Sequence, residues 1–103
     1  MQLIFTTFPN EEDAKRIVRI LVDEKLIACG NIYPQSTSIY RWKNAVTMES
    51  EWAAILKTTE ERLEELSTRL KELHSFEVPE MIAVPVSGAS TEYAEWVAES
   101  CKR

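Results

Sequence analysis

The sequence predicts an α+β fold of the ferredoxin-like split βαβ type, in the order βαββαβ, with a short C-terminal helix and an extended hairpin between the second and third strands. Three observations carry this expectation. Two stretches repeat apolar residues at helical spacing, and four stretches are extended and rich in β-branched or aromatic residues. The middle two extended stretches follow one another with only a short turn between them. The chain has 103 residues, enough for one domain, read here as residues 1–103.

Residues 2–8, QLIFTTF, read as the first strand, and Pro9-Asn10 ends it. Asn10 is placed to cap a helix whose first turn carries Glu11, Glu12 and Asp13. Ala14, Ile17, Val18, Leu21 and Val22 then form one apolar stripe. Residues 27–42 are extended. Ala28, Gly30 and Ile32 share one parity and Ile39 has the other, so the phase slips near Pro34, where a bulge or bend is expected. Residues 43–46, KNAV, read as the turn. The third strand, about 47–57, puts Met48, Trp52, Ala54 and Leu56 on one face and Glu49, Glu51, Ile55 and Lys57 on the other.

Thr58 and Glu61 have the spacing of a capping box. Leu63, Leu66, Leu70 and Leu73 form the second helical stripe, with His74 at its end. Residues 81–86, MIAVPV, read as a last core strand. Ser90 caps a short helix bearing Tyr93, Trp96 and Val97. The hairpin is long for so small a chain. A strand of about 14 residues reaches about 45 Å at roughly 3.3 Å per residue, whereas a chain of this size has a radius of gyration of about 13 Å. The hairpin is therefore expected to overhang its own sheet and to pair with another copy, because free strand edges invite pairing.

The charge balance is 12 basic against 17 acidic side chains, a net −5. Phosphate binding needs clustered positive charge, so no nucleic-acid partner is expected. No basic leader precedes a long apolar run and no stretch reaches membrane-spanning length, so neither a signal peptide nor a membrane is expected. Cys29 and Cys101 lack metal-type or redox-type spacing, which fits reduced thiols in a cytoplasmic protein.

His74 is the only imidazole, with Glu77 and Glu80 close behind it and Pro79 between them. Imidazole takes copper or zinc and carboxylates add oxygen ligands, so this stretch is a candidate metal site. The structural alternative is a helix-end histidine that caps carbonyls or packs. Cys29 is either a soft fourth ligand or a small buried hydrophobe. Tyr40 and Trp42 share one face, to line a pocket or an intersubunit contact. Lys57 either snorkels to solvent or holds an anion or carboxylate. Among modules of this fold, an RNA-recognition domain is excluded by Glu49 and Glu51 on the third strand. A small copper chaperone is excluded by TTFPNEEDA, which has no thiol before the first helix. That stretch also lacks the arginine of an acylphosphatase-like anion loop.

ACGNIYP at 28–34, SIYRW at 38–42, Glu51 followed by ILKT at 55–58, ELHSFEVPE at 72–80 and YAEW at 93–96 together resemble the CutA family of divalent-cation tolerance proteins, over about residues 2–98. The resemblance implies a cytoplasmic, non-enzymatic homotrimer whose hairpins pair between subunits. It also implies divalent-cation binding, Cu²⁺ first and Zn²⁺ second, with no organic cofactor. Its metal ligands would come from His74, Glu77, Glu80 and Cys29, and its cleft from Tyr40, Trp42, Lys57 and His74. The same trimer resembles PII signalling proteins, which makes a sensor of a small molecule or anion, acting through an unidentified protein partner, the alternative; a non-catalytic scaffold is the third. The chain departs from the family pattern at Asn44, at Ser75 and Phe76, and at Thr6, Thr7 and Leu73, where some members carry glycine, proline and tyrosine, a thiol and a second histidine. A copper site using those extra ligands is incomplete here.

Overall fold

A computed structural model describes residues 1–103. The elements are β1 (Gln2–Phe8), α1 (Glu11–Asp23), β2 (Cys29–Trp42), β3 (Ala45–Thr58), a single 3₁₀ turn (Glu60–Arg62), α2 (Leu63–Leu73), β4 (Ile82–Pro85) and α3 (Thr91–Ser100). They form one antiparallel sheet in the order β2-β3-β1-β4, the ferredoxin-like arrangement. Asn10 caps α1 as its sequence position predicts, its side-chain oxygen accepting the Asp13 N–H at 2.8 Å. Ala14, Ile17, Val18 and Leu21 of α1, with Leu66 and Leu70 of α2, bury one sheet face built from Ile4, Phe8, Ala54 and Leu56. Glu24 at the end of α1 accepts two bonds from the Arg69 guanidinium of α2, at 2.9 and 2.8 Å. That pairing holds the Glu24 carboxyl below its usual value.

The hairpin overhangs as its length requires. β1 covers β3 only from Trp52 to Thr58, so Ala45–Glu51 pair with β2 alone. The molecule is 44 Å in its longest dimension and 22 Å in its shortest. Lys43 and Asn44 close the tip with φ of 48° and 68°, the primed turn that matches strand twist. The phase slip near Pro34 is real. Between the pairs Tyr33↔Ala53 and Ser36↔Glu51, β2 carries one residue more than β3. Cross-strand partners share a face. The bulge therefore puts Ser36, Ser38, Tyr40 and Trp42 on the face of Glu51 and Glu49, and leaves Ile39 and Arg41 with Met48 and Val46 on the other.

Two expectations need correction. Thr58 does not form a capping box: it ends β3, and its hydroxyl donates to the Leu26 carbonyl at 2.7 Å. The residue preceding the 3₁₀ turn is Thr59, and its side chain caps nothing. β4 is shorter than residues 81–86 and is an exposed edge strand, not a core strand, because it is an outermost strand that pairs with β1 on one side only. Met48 shares parity with Ala54 and Leu56 but lies beyond the helices on the overhang, 67% exposed.

Gly30 is required by space and not by backbone angle. A Cβ built there would lie 2.7 Å from Val18 Cγ1 and 2.8 Å from Leu56 Cδ2, whereas Gly88 has open space. Gly30→Ala is expected to lower stability by about 1–3 kcal/mol, and Gly88→Ala to leave it within about 0.5 kcal/mol, both read from urea midpoints. The Thr6 hydroxyl is buried with no partner. Thr6→Val, which keeps the shape and removes the orphaned polar atom, is expected to be neutral or stabilising in the same assay, because an unsatisfied buried hydroxyl costs about 1–3 kcal/mol.

Candidate functional site

The principal cleft has a volume of about 620 Å³ and lies where the overhanging hairpin meets the loop after α2. From the hairpin come Ser38, Ile39, Tyr40, Trp42, Glu49 and Glu51; from the loop come Ser75, Phe76, Glu77, Val78 and Glu80; β1 contributes Thr7. Four of the lining residues are glutamates and none is lysine, arginine or histidine. Three of the four, Glu49, Glu77 and Glu80, are exposed. Glu51 is only 6% exposed. Its strand parity is opposite to that of the core residues Ala54 and Leu56, so it is buried on the sheet face away from the main core. Its backbone carbonyl accepts from the Ser36 hydroxyl at 3.2 Å. Its carboxylate takes part in none of the side-chain hydrogen bonds or ion pairs of the chain.

The field in the cleft is negative. Desolvation, helped by the charges of Glu49 and Glu51, holds the Tyr40 phenol above its usual range. Tyr40 and Trp42 line the cleft and are 36% and 42% exposed.

His74 stands behind this cleft and not in it. α2 ends at Leu73, and the His74 backbone turns extended while its N–H still donates to Leu70 O at 2.9 Å. The ring packs on Phe8, with centroids 5.0 Å apart and planes 11° apart, and is flanked by Phe76 at 4.7 Å. Nδ1 accepts the Phe76 N–H at 3.1 Å, so Nε2 carries the proton and donates to the Thr7 carbonyl at 2.6 Å. Both nitrogens are thereby engaged, and neither offers a metal a free lone pair. The imidazole pins the 75–80 loop to β1. It neither caps the last helix carbonyls nor presents itself as a ligand in this geometry.

The remaining candidates separate. Glu77 and Glu80 enter the cleft with Tyr40 and Trp42. Lys57 does not. It pairs across the sheet with Cys29, and its ammonium donates to the Asn31 side chain. Tyr40 pairs with Thr47, ten positions along β3 from Lys57, or roughly 33 Å away at the rise of a strand. Cys29 lies at the Lys57 end, its thiol 3.6 Å from the Tyr93 hydroxyl. That contact is the main reason the Tyr93 phenol titrates higher than usual. No three His, Cys, Asp or Glu side chains converge as a metal-binding group. The sequence does not single out Glu49 as a site residue. Its place beside Glu51 on the Tyr40 face follows from the bulge, which the parity slip at Pro34 signals.

Residues 2–100 match the family described as CutA1 divalent ion tolerance protein. The chain is 45% identical over 100 residues to the divalent-cation tolerance protein CutA of Thermotoga maritima, covering 97% of this chain and 98% of that one. It is 39% identical over 103 residues to the protein of the same name from Pyrococcus horikoshii, covering both chains in full. In structure it matches the divalent cation tolerance protein of Thermus thermophilus with a TM-score of 0.95 at 40% identity, over 99% of this chain and all of that one.

His74→Ala removes two hydrogen bonds and a ring stack at once. It is expected to cost about 2–4 kcal/mol in urea unfolding, whereas Glu77→Gln in the same loop is expected to stay within about 0.5 kcal/mol.

Proposed function

The chain belongs to the CutA1 divalent ion tolerance family, and from that premise we propose that it works as a homotrimeric, cytoplasmic divalent-cation tolerance protein whose acidic cleft receives the cation. The observation that carries the reading is the cleft's charge: four glutamates, one of them buried without a partner, and no basic side chain. The role is one of tolerance, as the relatives' names describe, and not of catalysis. The donors are carboxylates, which suit hard and borderline divalent ions. Because no three ligands converge within one chain, the cation would be held in hydrated form between Glu51, Glu77 and Glu80, with Glu49 adding charge. Zn²⁺ and Cu²⁺ are the ions to test. The anion-sensor alternative loses support, since Lys57 is far from Tyr40 and Trp42.

The trimer reading rests on the other face of the overhang. Ile39, Val46 and Met48 are 64%, 67% and 67% exposed there, an apolar row that water disfavours. The outer edges of β2 and β4 are also free of partners within the chain. Packing that row against neighbouring copies would bury the apolar surface, and pairing at the strand edges would satisfy their backbone groups. A cytoplasmic setting is consistent with two free thiols. No helix is long and apolar enough to cross a membrane.

Light scattering on a sizing column is expected to give the mass of three chains of 11.9 kDa each, and Ile39→Asp with Met48→Asp to shift it towards one. A calorimetric titration with Zn²⁺ and then Cu²⁺ is expected to saturate at a fixed ratio per chain. Glu51→Gln is expected to weaken binding about tenfold, or about 1.4 kcal/mol, while the exposed Glu60→Gln leaves it unchanged. Weak, unsaturable binding that ignores Glu51 would remove the cation reading.

A further inference from the structure

The cleft is larger than a metal ion needs and is built for more than charge. Its 620 Å³ falls within the roughly 300–1,000 Å³ range of small-molecule sites. Its carboxylates do not converge on a point. They are carried by two separate segments, Glu49 and Glu51 on β3 and Glu77 and Glu80 on the loop after α2. A ligand that satisfies both segments carries positive charges separated in space. In the same cleft it meets the rings of Tyr40 and Trp42, exposed and on the same strand face as Glu51. Aromatic faces attract alkylammonium groups and pack against methylenes.

Glu51 supplies the independent reason to expect a ligand. The residue is only 6% exposed and lines the cleft, and its carboxylate takes no hydrogen bond or counter-ion from the chain, which leaves it free to receive a cationic group there. We propose that this cleft binds a linear aliphatic polyamine, a chain of ammonium groups spaced by methylenes, with one ammonium on Glu51 and the chain lying along Tyr40 and Trp42. The proposal rests on the reading of the cleft as a cation site and names an organic ligand class for it. A primary ammonium donates up to three hydrogen bonds, and the unpaired Glu51 carboxylate has the lone pairs to accept them. Phe76, held by its contacts with His74, closes the loop side with a third ring.

The test is calorimetry of the assembled protein at fixed ionic strength with four probes: spermidine, 1,4-diaminobutane, neutral 1,4-butanediol and the compact trication hexaamminecobalt(III). The Trp42 indole N–H resonance is followed in parallel. Spermidine is expected to bind saturably at one per cleft, at least tenfold tighter than hexaamminecobalt(III), and to shift the Trp42 resonance. Diaminobutane is expected to bind more weakly and butanediol not at all. Glu51→Gln keeps the side chain's shape and is expected to weaken spermidine about tenfold. Glu77→Gln, on an exposed loop, serves as a second variant and is expected to weaken it severalfold. Equal binding of spermidine and hexaamminecobalt(III), both dependent on Glu51, would overturn the polyamine inference and leave the cation reading intact. Spermidine binding that survives both substitutions would show a diffuse acidic surface and overturn the inference. No binding of any cation, Zn²⁺ included, would remove both.

Discussion

The antiparallel pairing of β2 with β3 is the constraint on which the rest of the structure depends. The two strands pair to their full length, while β1 supports only the Trp52–Thr58 half of β3. Everything beyond Trp52 is a two-stranded ribbon with no third strand and no helix over it. A ribbon of that kind is marginal alone, so both of its faces must be covered by something outside the four-stranded sheet. On one face the cover is the 75–80 loop, which leaves the acidic cleft. On the other, within the chain, there is none, and the apolar row of Ile39, Val46 and Met48 faces water. The proposed assembly and the proposed ligand binding would thus use opposite faces of one element.

The single extra residue in β2 decides which side chains serve which face. Before Pro34 the odd-numbered residues Cys29, Asn31 and Tyr33 pair with Lys57, Ile55 and Ala53; after it the even-numbered Ser38, Tyr40 and Trp42 pair with Glu49, Thr47 and Ala45. A regular strand would have turned Ile39 and Arg41 towards Glu51 and put the rings on the face of Met48 and Val46. Proline suits such a place because it has no N–H to contribute to a ladder. His74 fixes the cleft's other wall. Stacked on Phe8 and bonded at both nitrogens, it ties the loop carrying Glu77 and Glu80 to the end of β1. It contributes to the site through the backbone it holds and not by touching what enters.

Much of this was legible in the sequence. Strand and helix order followed from periodicity, the overhang from strand length, and the bulge from the parity change across Pro34. The site was harder to read. His74 looked like a ligand because a lone imidazole beside two carboxylates has the right donors, but ligand capacity depends on what else the nitrogens meet, and Thr7 lies 67 residues away in the chain. Lys57 and Tyr40 share a sheet face, yet a shared face says nothing of distance along the strand. Thr58 and Glu61 had capping-box spacing, but the strand ran through Thr58 and its hydroxyl found the Leu26 carbonyl. Glu51 could be assigned to a face from sequence; that it is buried there without a partner required the loop's path.

The central claim is that the cation is held in the cleft at Glu51, with Glu77 and Glu80. It is tested most directly by ¹³C NMR of the glutamate side-chain carboxyl carbons, followed one by one as Zn²⁺ is added to the assembled protein. The account predicts that the Glu51 signal moves at the lowest metal concentrations, with Glu77 and Glu80 moving alongside. Early movement of exposed carboxylates such as Glu60 and Glu64, with Glu51 stationary to saturation, would contradict it.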